Sequence, residues 1–194
     1  MAVNLKKGGS VSLTKGTPGL KRILVGLGWQ EKTTGGEGFD LDASAFLLTK
    51  NGKVRTEGDF VFYGQLISQC GSVKSMGDDR TGGGGDDDNE SLEIELEQVP
   101  NVIERIVVIV TIYEAENRRQ NFGQVGSAFM RIVNLDNNTE IARFDLAEDF
   151  GTETAIIFGE IYKDGSDWKF KAVGQGFPGG LAGMCKQFGV AVAS

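Results

Sequence analysis

The sequence lacks histidine altogether, and its 194 residues include only two cysteines and three prolines. The absence of imidazole excludes serine–histidine–aspartate catalysis and the zinc or copper sites that depend on histidine ligands. Cys70 and Cys185 are far apart and form no Cys-x-x-Cys pair. We therefore expect reduced thiols, and neither a zinc site nor a paired redox centre.

Long apolar segments are also missing. The most apolar run, Ile106 to Ile112, is far shorter than the roughly 20 residues that span a bilayer. The N-terminus carries Lys6 and Lys7 and has no apolar core of the kind found in signal peptides. The sequence therefore predicts a cytoplasmic protein without an integral membrane segment.

Positive charge is scarce as well. The formal net charge is −7 and the sequence pI is about 4.7. A nucleic-acid-binding protein usually has a basic surface that neutralises phosphates, and here the few basic pairs are scattered along the chain. We expect no nucleic-acid partner, and the acidic balance favours metal cations instead.

Glycine is abundant, with 29 residues, which indicates many tight turns and few long helices. Segments rich in β-branched and aromatic residues alternate with turn residues, as in an all-β protein. These predicted strands are 10–14, 22–27, 39–49, 59–63, 91–97, 105–113, 128–134, 140–146, 153–162 and 168–173. Short helices are predicted at 114–120 and around 181–188. Without helical crossovers between the strands, the pattern predicts a mainly β fold, a β-sandwich of two mostly antiparallel sheets in one domain over residues 1–194.

Two predicted strands show how the sandwich should be layered. Residues 91–97 alternate, so that Leu92, Ile94 and Leu96 should face the core while the glutamates face water. Residues 105–113 form a continuous isoleucine and valine run. Such a run is typical of a central strand covered on both faces.

The first acidic feature is the strand segment that contains Asp40, Asp42 and Ser44. Because side chains alternate along a strand, these three should point to one face while Leu41 and Ala43 point to the other. Two carboxylates on one strand face repel each other, and a bound hard cation would reverse the sign of that interaction. Calcium takes about six to eight oxygen ligands, so the strand could supply only part of its shell.

The second acidic feature is the glycine-rich segment 77–90. It supplies six carboxylates and one amide, from Asp78, Asp79, Asp86, Asp87, Asp88, Glu90 and Asn89. Glycine allows a backbone to wrap a small ion and turn its carbonyls inward. Together with the strand pair, this segment makes calcium the ligand that the residue chemistry favours among metals.

Other interpretations remain open. Most acidic loops are simply solvated, and most strand Asp-x-Asp segments are wet edges. An EF-hand is excluded, because Ala45 and Asn51 stand where its turn glycine and bidentate glutamate belong. The alternative function is a metal-dependent phosphoester hydrolase that uses the same carboxylates with magnesium or manganese, although no residue is predicted to be catalytic.

A series of motifs resembles one known family. The series comprises Val25-Gly26-Leu27-Gly28-Trp29, Phe39 to Ser44, Gly77 to Gly82, the acidic run to Glu90, Phe122 to Val125 and Ala172 to Gly176. In this order and over essentially the whole chain, it is similar to the TerD/TerE tellurite-resistance proteins. The resemblance implies a β-sandwich that binds calcium through its acidic loops and takes part in bacterial resistance to tellurite and related stresses. It implies no known catalytic activity.

The resemblance also implies specific ligands and partners. A pair of calcium ions would be bound by Asp40, Asp42, Asp78, Asp79, Asp86, Asp87, Asp88 and Glu90. Asp79 stands where the family usually has asparagine. We further expect a non-enzymatic protein whose protein partners belong to the related resistance proteins.

Overall fold

β-branched and aromatic residues dominate the strands of the protein, a composition that suits a pleated, half-buried surface. The computed structural model describes residues 1–31, 38–78, 88–146 and 150–192, except for the side chains of Glu31 and Asp78. The strands in these ranges are β1 (Val3–Leu5), β2 (Ser10–Ser12), β3 (Arg22–Glu31), β4 (Leu41–Thr49), β5 (Phe60–Val61), β6 (Val73–Asp78), β7 (Glu90–Glu95), β8 (Ile103–Ile112), β9 (Val125–Asn134), β10 (Thr139–Leu146), β11 (Ala155–Asp164) and β12 (Asp167–Phe177). The helices are α1 (Ala115–Arg118) and α2 (Gly180–Phe188). No helix in the described ranges is long and apolar enough to cross a membrane.

The strands form two six-stranded sheets. Sheet A has the order β1-β10-β9-β3-β7-β6, and sheet B has the order β2-β12-β11-β8-β4-β5. All neighbouring strands are antiparallel except β1 and β10, which are parallel. The predicted sandwich of two mostly antiparallel sheets is therefore confirmed.

The main core lies between the sheets, and a second core lies outside sheet B. Inward side chains of both sheets, such as Val25, Ile94 and Val108, form the first core. On the outer face of sheet B, Met184, Cys185 and Phe188 of α2 pack against side chains of β4, β8 and β11. Strand β8 therefore has apolar contacts on both faces, as its continuous isoleucine and valine run predicted.

The predicted alternation in β7 is confirmed, but two strands were not predicted. Leu92 and Ile94 are buried while Glu93 and Glu95 reach solvent, and the strand ends before a 3-10 turn at Leu96–Gln98. Strands β1 and β6 lie at opposite edges of sheet A. Each is short, and β6 has one deeply buried side chain, Val73. Because backbone pairing rather than burial defines such edge strands, their sequences carry little periodic signal.

A buried aspartate joins the N-terminal segment to the β11–β12 hairpin. Asp167 is 1% exposed, and its Oδ1 accepts hydrogen bonds from Thr14 Oγ1 at 2.8 Å and Lys15 N at 2.9 Å. Burial acts to raise the pKa of Asp167, but hydrogen bonds from Lys15, Ser12 and Thr14 outweigh it and lower the pKa below its usual value. The ionised carboxylate therefore stabilises the fold.

We expect Asp167→Asn to lower the free energy of unfolding by about 1 to 2 kcal/mol at pH 7, because a buried hydrogen-bond network loses its anionic acceptor. The wild-type carboxylate keeps its full effect above the unfolded-state pKa of about 3.9, and loses it as the pH falls through the lowered folded-state pKa. The difference between variant and wild type should therefore shrink between pH 5 and the acid limit of the folded protein, on the order of pH 3. Urea unfolding of both proteins across this pH range measures the difference.

Asp164→Asn is the matched control, since Asp164 lies in the same hairpin but its side chain is largely exposed and pairs with Lys169 at the surface. This substitution should change the free energy of unfolding little, both at pH 7 and in acid. A loss for Asp167→Asn that does not vary with pH would contradict the assigned role of the carboxylate.

Candidate metal centre

The acidic segments meet at one end of the sandwich. In the chain, β3 and β4 are joined at this end, and so are β6 and β7. The N–H of Tyr113, just after β8, donates to the carbonyl oxygen of Asp40 at 2.8 Å. The N–H of Ala43 in sheet B donates to Oε2 of Glu90 in sheet A. Backbone and side-chain contacts thus hold the start of β4 against the start of β7.

Asp42 lies on the outer face of sheet B, the face that α2 covers. Its neighbours Leu41 and Ala43 enter the core between the sheets, so alternation directs Asp42 and Ser44 the other way, as predicted. Asp42 is 8% exposed, and Ser44 is fully buried. Ser44 Oγ has no hydrogen-bond partner in the described part of the chain. Two polar side chains are thus buried on one face of the strand, which differs from the alternative interpretation of a solvated strand edge.

Glu90 lies between the two sheets. It occupies an inward position of β7, in line with Leu92 and Ile94, and is 8% exposed. Its bond to Ala43 N–H crosses from sheet A to sheet B. In the pairing of β6 with β7, Asp78 is the residue opposite Glu90. Asp78, the last residue of β6, and Glu90, the first residue of β7, are therefore paired directly.

Asp88 lies on the outer face of sheet A. Its two carboxylate oxygens accept hydrogen bonds from Arg131 of β9, from Nε at 2.8 Å and from Nη2 at 2.9 Å. This hydrogen bond is the main reason why the pKa of Arg131 is raised. The carboxylate lies where a Cβ of Gly26 would be, with its carbon 2.3 Å from that position. The predicted ligand Asp88 thus forms a bidentate ion pair in this structure.

Asn89 completes the anchoring of this end of the segment. Its Oδ1 accepts from Trp29 N at 2.8 Å, and its own N–H donates to Leu27 O at 2.7 Å. Three consecutive residues, Asp88, Asn89 and Glu90, are therefore held by β9, β3 and β4 in turn. The amide of Asn89, counted with the acidic segment in the sequence, serves the backbone of β3.

Sequence reasoning missed the role of Arg131, although β3 contains a signal for it. Gly26 and Gly28 occupy successive outward positions, alternating with the inward Val25, Leu27 and Trp29. The ring of Phe129 lies over Gly28 as the Asp88 carboxylate lies over Gly26, each with an atom 2.3 Å from the Cβ position. Glycine at alternate outward positions of a strand indicates that another group approaches its backbone closely.

Most of the remaining predicted ligands are not described. Asp79, Asp86 and Asp87 lie outside the described residues, and only the backbone of Asp78 is described. In the described ranges, no group of three or more cysteine, aspartate and glutamate side chains is placed to hold a metal ion. Asp42 lies on the outer face of sheet B, Glu90 lies between the sheets, and Asp88 lies on the outer face of sheet A.

The atoms at this end that could bind a metal nevertheless share one chemistry. The candidate ligand atoms at this end are carboxylate, hydroxyl and amide oxygens, and the sequence contains no histidine. Cys185 belongs to the core under α2, and Cys70 contacts Ser68 and Ser72 in a separate turn. An oxygen-only set of this kind fits a hard cation such as calcium or magnesium and does not fit zinc or copper.

A groove not predicted from the sequence adjoins Asp42. It encloses about 390 Å³ between the end of β8, α1 and the first turn of α2. Besides Asp42, its walls include Tyr63, Tyr113, Glu114, Glu116 and Leu181. The walls of the groove thus include two further acidic residues, which belong to the short segment after β8.

The fold and these residues define a β-sandwich protein with an acidic end built from both sheets. The family model of the TerD domain matches residues 1–188. The chain is 57% identical over 190 residues to "Tellurium resistance protein TerD" of Serratia marcescens, covering 98% of both chains. It is 50% identical over 193 residues to "General stress protein 16U" of Bacillus subtilis, covering 99% of this chain and 100% of the relative.

This chain belongs to the TerD domain family, as the resemblance of its motifs predicted. A solved structure supports the fold independently. The crystal structure of a homologue of telluride resistance protein (TerD) from Streptomyces coelicolor superposes with a TM-score of 0.65 at 22% identity, over 84% of this chain and 94% of that one. The relatives' names associate the family with tellurium resistance and general stress.

Gly26→Ala should displace the Asp88 carboxylate and break its bidentate pairing with Arg131. We expect a loss of about 1–3 kcal/mol in the free energy of unfolding, because Arg131 then keeps only part of its hydrogen bonding. Arg131→Met should act through the same interaction, so the double variant should cost less than the sum by about 0.5–3 kcal/mol. A double-mutant cycle by urea unfolding measures this coupling.

Arg22→Met is the matched control for the cycle. Arg22 lies on β3 and forms exposed ion pairs with Glu93 and Asp136, away from Asp88. Its effect should add to that of Gly26→Ala within about 0.5 kcal/mol. Additive behaviour of Gly26→Ala with Arg131→Met would show that the glycine does not serve the ion pair.

Proposed function

We propose that this protein is a non-enzymatic calcium-binding member of the tellurium-resistance and stress-response proteins, acting in the cytoplasm. The observation that carries the proposal is the burial of two carboxylates, those of Asp42 in β4 and Glu90 in β7, at the acidic end. Glu90 accepts from the N–H of Ala43, the residue next to Asp42, and each carboxylate is 8% exposed. The two acids come from different sheets, and the bond to Ala43 holds their strands together, with Asp42 on the outer face of sheet B and Glu90 between the sheets.

Burial of negative charge favours a cation at this end. A carboxylate removed from water loses hydration free energy, which a bound cation or hydrogen bonds must offset. Asp42 and Glu90 flank Ala43, and Asp78 is paired opposite Glu90 in the sheet. The acidic segment 77–90 begins and ends beside these residues, and in this proposal its oxygens complete a calcium shell of about six to eight ligands.

The anchors of segment 77–90 also favour a specific ion site over a solvated loop. Asp88, Asn89 and Glu90 are hydrogen-bonded to three different strands. Fixing one end of a segment before binding lowers the conformational entropy that the ion must overcome. In this proposal Asp40, Asp42, Asp78 and Glu90 contribute ligands individually, while Asp79, Asp86 and Asp87 contribute as a group. Asp88, also a predicted ligand, is left out because both of its oxygens pair with Arg131 in this structure.

Calcium should raise the thermal midpoint relative to a chelator. At free calcium one hundred times its Kd, binding stabilises the folded state by about 2.7 kcal/mol. Calorimetric titration gives the stoichiometry, for which we expect a pair of ions. Asp40→Asn combined with Asp42→Asn should remove one ion or weaken its binding at least tenfold, which corresponds to about 1.4 kcal/mol.

Asp136→Asn is the control, since Asp136 is an exposed carboxylate that pairs with Arg22 far along β3 from the acidic end. Its calcium titration should match that of the wild type. Absence of calcium heat and of a midpoint shift would disprove the proposal. Phosphoester turnover with magnesium or manganese that disappears in the Asp40 and Asp42 variant would instead establish the hydrolase alternative.

A further inference from the structure

A column of stacked aromatic rings runs from the core under α2 to the surface. Phe46 contacts Phe188 at a centroid distance of 4.8 Å and stacks on Phe60 at 4.3 Å, and Phe60 stacks on Phe62 at 4.5 Å. The column continues edge to face through Phe62 and Tyr63 at 5.2 Å, and ends with Tyr63 and Tyr113 at 6.2 Å. The column thus has its base in the core and two tyrosine rings at the surface.

The end of the column lies beside an exposed apolar patch. Tyr63 is 58% exposed, and Leu66 and Ile67 follow it in the same turn with about half of their surface exposed. Met76 of β6 is similarly exposed, and β6 is tied to this turn by the bond from Ser75 N to Leu66 O at 2.7 Å. We call Tyr63, Leu66, Ile67 and Met76 the apolar patch. Four large apolar side chains exposed on adjoining segments are typical of a protein interaction surface.

Tyr63 connects this patch to the acidic groove. The same side chain forms one wall of the groove that also contains Asp42, Glu114 and Glu116. Tyrosine and carboxylate walls together favour a cation that has an apolar stem, because the ring face attracts the charge and the stem covers apolar surface. Arg118 shows this preference within the chain: its guanidinium carbon lies 5.4 Å from the centre of the Tyr113 ring, and its Nε lies 3.8 Å from Oε2 of Glu114.

We propose that the groove and the apolar patch form one docking site for a basic, apolar segment of a partner protein. An arginine or lysine side chain of the partner enters the groove beside Tyr63 and the acidic residues Asp42 and Glu116, and shares Glu114 with Arg118. Apolar side chains next to it in the partner cover Tyr63, Leu66, Ile67 and Met76. Charge decides the class of partner, since three groove carboxylates in a chain of net charge −7 disfavour an acidic segment. The site does not depend on the calcium proposal, because its binding groups are present without an ion.

The test uses capped pentapeptides in which a central arginine, glutamine or glutamate lies between two leucines. Each is titrated into isotope-labelled protein in a chelator, and binding is followed by NMR. The arginine peptide should shift resonances of the groove and the apolar patch and saturate, the glutamine peptide should bind at least about tenfold more weakly, and the glutamate peptide should not bind. Added salt should weaken arginine binding, because it screens the carboxylates.

Variants divide the site into its two parts. Tyr63→Ala should weaken arginine-peptide binding at least about tenfold, and Glu114→Gln with Glu116→Gln should remove the preference for arginine over glutamine. Val102→Ala and Glu97→Gln are controls, since both residues are well exposed elsewhere on the surface. They should leave peptide binding unchanged.

Three results would overturn the proposal. They are equal binding of the glutamate peptide, shifts spread outside the groove and patch, and an unchanged Kd in Tyr63→Ala. Sedimentation of the protein alone provides a further check. A dimer that Tyr63→Ala abolishes would assign the patch to a second copy of this chain instead. Because the titrations are made in a chelator, their outcome is separate from that of calcium calorimetry.

Discussion

The hydrogen bond from Ala43 N–H to the Glu90 carboxylate joins the two sheets at the acidic end, and the geometry of that end depends on it. A buried carboxylate must be hydrogen-bonded or paired, or its burial destabilises the fold. Here the acceptor belongs to sheet A and the donor to sheet B. The contact therefore fixes how the start of β4 lies relative to the start of β7. Asp42, the residue before Ala43, takes its position from the same contact.

The neighbours of Glu90 extend this constraint to the outer face of sheet A. Asn89 binds the backbone of Trp29, and Asp88 binds Arg131 across the glycine at position 26. A side chain at that position would occupy the space of the carboxylate. The glycine is thus required by packing, and the ion pair it admits holds one end of the acidic segment. A segment fixed at its end has fewer conformations to lose when it binds an ion.

Asp42 links the proposed ion site to the proposed docking groove. Its carboxylate lines the groove together with Glu114 and Glu116, and it is also a predicted calcium ligand. A calcium ion bound to Asp42 would reduce the negative potential that attracts an arginine side chain. By thermodynamic linkage, an arginine in the groove would weaken calcium binding by the same factor. The two sites are therefore expected to oppose each other, although each can form alone.

The sequence by itself determined the mainly β fold, the alternating faces of β7, the doubly covered strand β8 and the family. The strands and their faces follow from local periodicity, because side chains alternate every two residues along a strand. The family follows from the order of the motifs. Alternation also placed Asp42 and Ser44 on one face of β4. Only the tertiary structure decided that this face is buried by α2, that Asp88 pairs with Arg131, and that Tyr63 ends an aromatic column at the surface. The reason is distance along the chain: Asp88 and Arg131 are 43 positions apart, and Ala43 and Glu90 are 47 apart. A period gives the face of a strand, but the group that meets that face depends on how the sheets pack.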